Sequence, residues 1–227
     1  MNKIKYVVTS GCSFSEGACM SNYKSDTLKY RFSKILADGL SAQDINLAKS
    51  GGSNDRAFRK IYEWIQENPK KIKYTLFLIG FTQLHRKDLY FDCEKKWINY
   101  SGLGTYELND IYKNVDKKMV KVWNDVEYGY FYNDDIEKEK LFMKADLLQT
   151  YVKSLNSNII YFYAYPSKKM IKALNNPDER LNWYRPGGYD SWPSFISSYK
   201  KYTLDHPNKE DHIKLGKDLK KYYESIK

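Results

Sequence analysis

Two segments constrain the fold of this chain more than any others. Residues 74–79 (YTLFLI) and 158–165 (NIIYFYAY) are near-continuous runs of β-branched, aromatic and other apolar residues. A strand that alternates apolar and polar residues covers a core on one face only. A strand without that alternation is covered on both faces, the condition of a parallel sheet held between helix layers. Both runs fall far short of the roughly 18 apolar residues a membrane span requires, so they predict buried strands and no membrane partner.

The rest of the chain supplies the elements such a sheet needs. Residues 5–9 read as a first strand that ends at Ser10-Gly11-Cys12-Ser13-Phe14-Ser15. Over 26–40, Leu28, Phe32, Ile35, Leu36 and Leu40 recur at helical spacing. Residues 44–48 form a short second strand running into Ser50-Gly51-Gly52-Ser53-Asn54. Ala57, Ile61, Trp64 and Ile65 then mark a helix that Ser53 or Asn54 would cap, with Asn68-Pro69 as its stop. Helical spacing returns at 136–155 (Leu141, Ala145, Leu148, Val152, Leu155) and at 209–226 (Ile213, Leu215, Leu219, Tyr223). Strands alternating with helices predict a three-layer α/β/α sandwich with a central parallel sheet and right-handed crossovers. Residues 85–135, rich in Tyr, Trp, Lys and Asn, break the rhythm. They predict an insertion or irregular lid on a single domain spanning 1–227.

Composition excludes several classes of function. At 42% hydrophobic and 29% charged residues over 227 positions, the chain is neither collagen-like nor disordered, and it can bury one ordinary core. Cys12, Cys19 and Cys93 contain no C-x-x-C pair, which argues against a disulfide framework or a zinc site and predicts reduced thiols. The formal net charge is +10, a balance that nucleic-acid binders share. The lysines, however, are scattered along the chain instead of gathered in one patch, so a nucleic acid is not the leading partner. The N-terminal apolar run is broken by Thr9, Ser10 and Gly11, too short for a signal-peptide core, and predicts a cytoplasmic protein.

In parallel sheets of this kind ligands bind beyond the carboxyl ends of the strands, which directs attention to residues 11–15, 50–54, 80–86 and the chain after 166. Ser13 stands just past the first strand. A serine hydroxyl is a poor nucleophile until a base removes its proton, and the chain has three histidines, His85, His206 and His212. His206, in Leu204-Asp205-His206-Pro207-Asn208, precedes the last helix and can reach the sheet edge where the first strand ends. His212 reads as a partly exposed residue of that helix's first turn, and Cys12 as a thiol directed away from Ser13. His85 and Arg86, after the third strand, read as substrate contacts, together with Asn54 and Gln83.

Three motifs in order carry a family resemblance. Gly11-Cys-Ser13-Phe-Ser15, Asn46-Leu-Ala-Lys-Ser-Gly51-Gly-Ser-Asn54 and Asp205-His-Pro-Asn208 resemble blocks I, II and V of the SGNH, or GDSL, hydrolases. The resemblance implies a flavodoxin-like α/β/α fold and an acyl-ester hydrolase with Ser13 as nucleophile and His206 as general base. It also implies an oxyanion hole from the Ser13 and Gly51 backbone N–H groups and a side chain after the third strand. No metal or organic cofactor is implied; the expected partner is a small-molecule or glycan acyl ester, for example an acetyl ester, and the oligomeric state is left open.

The chain departs from the family pattern in four places. Cys12 stands where the family commonly has Asp. Block III reads Gly80-Phe81-Thr82-Gln83, without the usual asparagine, which leaves Thr82, Gln83 or Asn54 as the side-chain donor. Thr203 occupies the usual position of the acid, so that Asp205 orients His206 or the pair acts as a dyad; losing the orienting acid costs about 10⁴ in rate in serine hydrolases. Asp211 replaces a common glycine and reads as a helix-start acid. These departures keep two rivals open, a binding protein that retains the fold without catalysis and an acyltransferase on the same scaffold.

Overall fold

The structure is a computed structural model that describes residues 2–18, 20, 24–91, 95–100, 122, 125–165, 181–188, 191 and 206–226. Its central sheet has four parallel strands in the order β2-β1-β3-β6: β1 is Tyr6–Gly11, β2 Gln43–Asn46, β3 Thr75–Thr82 and β6 Asn158–Tyr165. The apolar runs are β3, buried at all eight positions, and β6, buried at the six between its ends. Although β6 is last in the order, its outer edge is covered in part. Tyr161 donates its N–H to the Asn182 carbonyl (2.9 Å) and accepts from Tyr184 N–H (2.8 Å), while Asn182 Nδ2 donates to the Ile159 carbonyl (3.1 Å). Residues 182–184 thus pair with the Ile159–Tyr161 part of β6, which shortens the unpaired edge.

Helices cover both faces. On one side α4 (Asn54–Glu67) and α5 (Asp134–Ser154) bury Ile61, Ile65, Ala145 and Val152 against Val8, Phe77, Ile79 and Tyr161. On the other, α3 (Phe32–Gly39) and α6 (Lys209–Ser225) bury Phe32, Leu36, Leu215 and Leu219 against Val7, Leu76, Leu78 and Ile160. Successive residues of each strand therefore feed opposite cores, the physical reason β3 and β6 lack alternation. The three-layer α/β/α sandwich is as the sequence predicts. Ser53 is the cap of α4, accepting from Arg56 N–H at 3.1 Å.

The expected helix over 26–40 is two helices, α2 (Lys24–Tyr30) and α3, separated at Arg31 (φ −59°, ψ 145°). Arg31 leaves the helical path and its Nε donates to Asp44 Oδ2 at 2.7 Å, an almost wholly enclosed carboxylate of β2. Periodicity over 26–40 carries no sign of that long-range demand. The stretch expected as an insertion or lid begins with regular structure: β4 (Lys87–Phe91) and β5 (Lys96–Tyr100) form an antiparallel hairpin. Arg59 of α4 docks it, donating to Asp88 at 2.7 Å and stacking its guanidinium 4.3 Å from the Trp97 ring centre. Residues 101–121 lie outside the described residues. Among the described residues no helix is long and apolar enough to cross a membrane.

His212 differs from expectation. It is fully buried, and its Nδ1 accepts the Phe32 N–H at 3.2 Å. That N–H is one of the donors a helix start leaves without an internal partner, and Arg31 supplies no side-chain cap, so a residue of α6 caps α3. One turn on, Gly216 lets the helices meet closely, since a Cβ there would stand 2.6 Å from the Phe32 carbonyl oxygen. Burial, aided by the nearby His206, pushes the His212 imidazole down to about 3; burial and the Arg86 charge bring His85 to about 4.

Between those values and the ordinary value near 6.5, the unfolded chain binds protons that the native state refuses. Stability is therefore fully present above about pH 6.5 and declines as the pH falls toward 4 and below. Denaturant titrations at pH 7 and pH 5 should show a loss of about 2 kcal/mol or more in the wild type, and a smaller loss in His212→Asn, which keeps an acceptor without a titrating ring. Equal losses in the two proteins would remove His212 from this account.

Candidate active site

Ser13 opens α1 (Ser13–Glu16), which starts directly from the end of β1. Cys12 precedes it in an extended conformation and gives no side-chain cap; its side chain is buried in the core cluster that holds Phe14. As the first residue of a helical turn, Ser13 has a backbone N–H that the turn itself does not use. At the other end of the chain, Asn208 caps α6 through a capping box: Asp211 N–H donates to Asn208 Oδ1 (3.0 Å) and Asn208 N–H to Asp211 Oδ2 (2.9 Å). The reading of Asp211 as a helix-start acid is thus realised in this box. Capping sets the direction in which the chain enters α6, and His206 lies two residues before the cap. Its Nε2 is 2.9 Å from Ser13 Oγ, and its ring rests against Phe14 with centroids 4.9 Å apart.

The loop after β2 is tied to α1 from two sides. Glu16 Oε2 accepts from both the N–H and the hydroxyl of Ser50, each at 2.6 Å. Asn46 Nδ2 donates to the Ser15 carbonyl (2.8 Å) and to Ser33 Oγ (3.1 Å), while its Oδ1 accepts Ala48 N–H (3.0 Å). Lys49 N–H continues the pairing with β1 by donating to the Gly11 carbonyl at 3.2 Å. These ties hold the loop at the turn where Gly51 adopts φ +74°, a conformation that costs glycine nothing and other residues a good deal.

At the end of β3, Asn54 and Thr82 form a reciprocal pair. Asn54 Nδ2 donates to the Thr82 carbonyl (3.0 Å) and Oδ1 accepts Thr82 N–H (2.9 Å). Asn54 is buried, and its amide fastens α4 to the strand end, a positioning task in place of the expected contact with substrate. Thr82 Oγ1 is also sealed from solvent, so the expected hydroxyl donor does not face an open cleft. Here β6 carries one extra residue: Phe81 pairs with Tyr163 and Thr82 with Tyr165, a bulge of the kind that re-aims side chains at strand ends. Gln83 is half-buried and begins the turn that Arg86 N–H closes on the Gln83 carbonyl (3.3 Å). The His85 carbonyl accepts from Tyr128 in the insertion (2.6 Å), and the Arg86 guanidinium lies 5.6 Å from the Tyr165 ring centre.

Residues 18–178 match a family described as a family of unknown function, DUF6071. The chain belongs to that family. No curated protein matches it in sequence. In fold, it is similar to TesA, with a TM-score of 0.53 at 10% identity over 98% of this chain and 100% of that one. It is also similar to the psychrotrophic esterase EstA from Pseudoalteromonas sp., with a TM-score of 0.50 at 12% identity over 98% of each chain. What is shared at these identities is the fold, the one the family resemblance implied.

The matched stretch of this DUF6071 member holds Gly51, Asn54, Thr82, Gln83, His85 and Arg86, and lies between Ser13 and His206. Asp205 and Thr203 are outside the described residues. Two contributors to the site were missed in the sequence, Glu16 and the aromatic pair Phe14–Tyr165, whose centroids are 4.8 Å apart. An acid in the first turn after a strand was the available signal for Glu16, but its partner Ser50 is 34 residues away. Glu16→Ala should release the Gly51 loop. It should speed hydrogen exchange at the Ser50 N–H, which loses its acceptor, about tenfold or more while the melting temperature changes by only a few degrees, because the carboxylate is partly exposed and charge-assisted bonds are worth a few kcal/mol at most. Unchanged exchange would show that the loop holds its position without it.

Proposed function

We propose that this protein is a serine hydrolase of acyl esters, with Ser13 as nucleophile and His206 as general base. The observation that carries this reading is the 2.9 Å approach of His206 Nε2 to Ser13 Oγ. That distance lies within the range needed for proton removal. A binding protein on this fold has no need of an imidazole in hydrogen-bond reach of a serine at the start of a helix, so the contact favours the enzyme over the catalytically silent rival.

In the proposed reaction, Ser13 Oγ attacks the ester carbonyl carbon as its proton passes to His206 Nε2. The carbonyl π electrons move onto oxygen, and the resulting oxyanion accepts from the backbone N–H groups of Ser13 and Gly51, each such donor being worth about 3 kcal/mol of barrier. Thr82, whose hydroxyl is enclosed, is left out of this set, and the half-buried Gln83 is the remaining side-chain candidate. Collapse breaks the bond to the alcohol oxygen, which takes the proton from His206. Water, deprotonated by the same imidazole, then releases the acid and restores Ser13. Asp205 is the carboxylate proposed to orient His206; without it the pair works as a dyad. Acetyl esters of small molecules or glycans are the first substrates to test.

A fluorophosphonate probe should label the wild type at Ser13 and leave Ser13→Ala unlabelled. Hydrolysis of p-nitrophenyl acetate should fall by about 10⁴ or more in Ser13→Ala and in His206→Ala. A wild type that neither reacts with the probe nor turns over the ester would sink the reading, as would undiminished turnover by Ser13→Ala.

A further inference from the structure

Arg86 differs from the other arginines that hold the fold together. Arg31 is paired with Asp44, Arg59 with Asp88 and Glu63, and Arg56 with the Leu47 carbonyl. The Nε and Nη1 of Arg86 are sealed from solvent and have no hydrogen-bond acceptor among the described residues. Withdrawing guanidinium donors from water without an acceptor is unfavourable. The nearby carboxylates do not relieve it. Asp55 and Glu137 border the same cavity as Arg86, yet Asp55 is held by Lys144 at 2.5 Å, and Glu137 by Lys87 at 2.9 Å and Lys140 at 2.8 Å. The adjacent His85 is neutral at pH 7, so Arg86 supplies the charge of this dipeptide.

The position is as informative as the missing acceptor. The guanidinium lies over Tyr165, the Tyr165 ring packs on Phe14, and Phe14 packs on His206. Two rings therefore stand between Arg86 and the imidazole, and Arg86 follows the end of β3 as Ser13 follows the end of the parallel β1. The cavity beside it measures about 20 Å³, room for about one water-sized group and so for an oxygen of a small anion, not for an acyl chain. A guanidinium's planar fork of donors matches the oxygens of a carboxylate or a phosphate.

We propose that Arg86 recognises an oxyanion, a carboxylate or a phosphate, carried by the ester that Ser13 and His206 act on. This rests on the hydrolase reading and narrows its substrates to anionic acyl esters. Arg86 is then a specificity-determining residue that binds a part of the substrate remote from the reacting carbonyl.

The test compares phenyl acetate with 4-acetoxybenzoate and 4-acetoxyphenyl phosphate in wild type, Arg86→Gln and Arg86→Lys. The ratio of kcat/KM for the charged ester to that for phenyl acetate should fall at least tenfold in Arg86→Gln, mainly through KM. Arg86→Lys should keep part of it. The charged ester with the larger fall tells carboxylate from phosphate. In the wild type alone, free benzoate or inorganic phosphate should inhibit phenyl acetate turnover competitively, a measurement that does not depend on a variant folding. Equal ratios in wild type and Arg86→Gln, or turnover insensitive to both anions, would overturn the proposal while leaving ester hydrolysis intact. If the wild type cleaves none of the three esters, the hydrolase reading falls. Calorimetric titration with benzoate and phosphate then decides the anion site separately: binding lost in Arg86→Gln supports it, and binding absent or equal in both proteins overturns it.

Discussion

The docking of α6 on α3 is the constraint on which the site depends. The Phe32 N–H at the start of α3 has no side-chain cap from its own segment and donates instead to His212, one turn into α6. Gly216 allows the backbone of one helix to approach the other, and Leu215, Leu219 and Tyr223 close the core around that contact. With α6 held in place, the capping box at Asn208 sets the path of the chain just ahead of it, and His206 meets a serine 193 positions earlier in the sequence. A buried neutral histidine hydrogen-bonded to α3 thus helps to place the histidine that meets Ser13.

The candidate site is assembled from the ends of β1, β2 and β3 and the loop before α6, each joined to a neighbour by side-chain bonds to backbone. Glu16 holds the loop after β2, Asn46 ties β2 to the turn after β1, and Asn54 ties α4 to the end of β3. Loops alone would leave Ser13 and the groups around it free to drift, and in an active site a misplacement near 1 Å is enough to cost about a hundredfold in rate. Polar ties of this kind let a site built from loops keep the precision of the sheet below it. Arg86 lies at the same end of the sheet, where a short turn, closed on Gln83, carries its guanidinium over the Tyr165 ring that packs on Phe14.

Much of this was legible in the chain itself. The covered strands β3 and β6, the helix over 54–67 with its serine cap, and the helix before Ile226 follow from local patterning, because each registers which faces will be buried. The Ser13, Gly51 and His206 motifs were legible for a related reason: a hydroxyl past a strand end, a glycine where the backbone must turn sharply and a histidine before a capped helix are each written in a few adjacent residues. The break at Arg31 and the hairpin at 87–100 were not, since each depends on a partner in another element, Asp44 for Arg31 and Arg59 for the hairpin.

The sequence by itself determined that this chain builds strands covered on both faces, with a serine and a histidine positioned to end on the same edge of the sheet. Tertiary structure alone decided which polar side chains face the site and which are consumed in building it. Asn54, Thr82 and His212 carry chemically versatile groups. The fold commits Asn54 and His212 to backbone bonds and encloses the Thr82 hydroxyl, and it leaves Arg86 without an acceptor among the described residues. The reason is physical: a residue's type fixes what it can donate or accept, whereas the acceptors within its reach are set by segments far away in the chain.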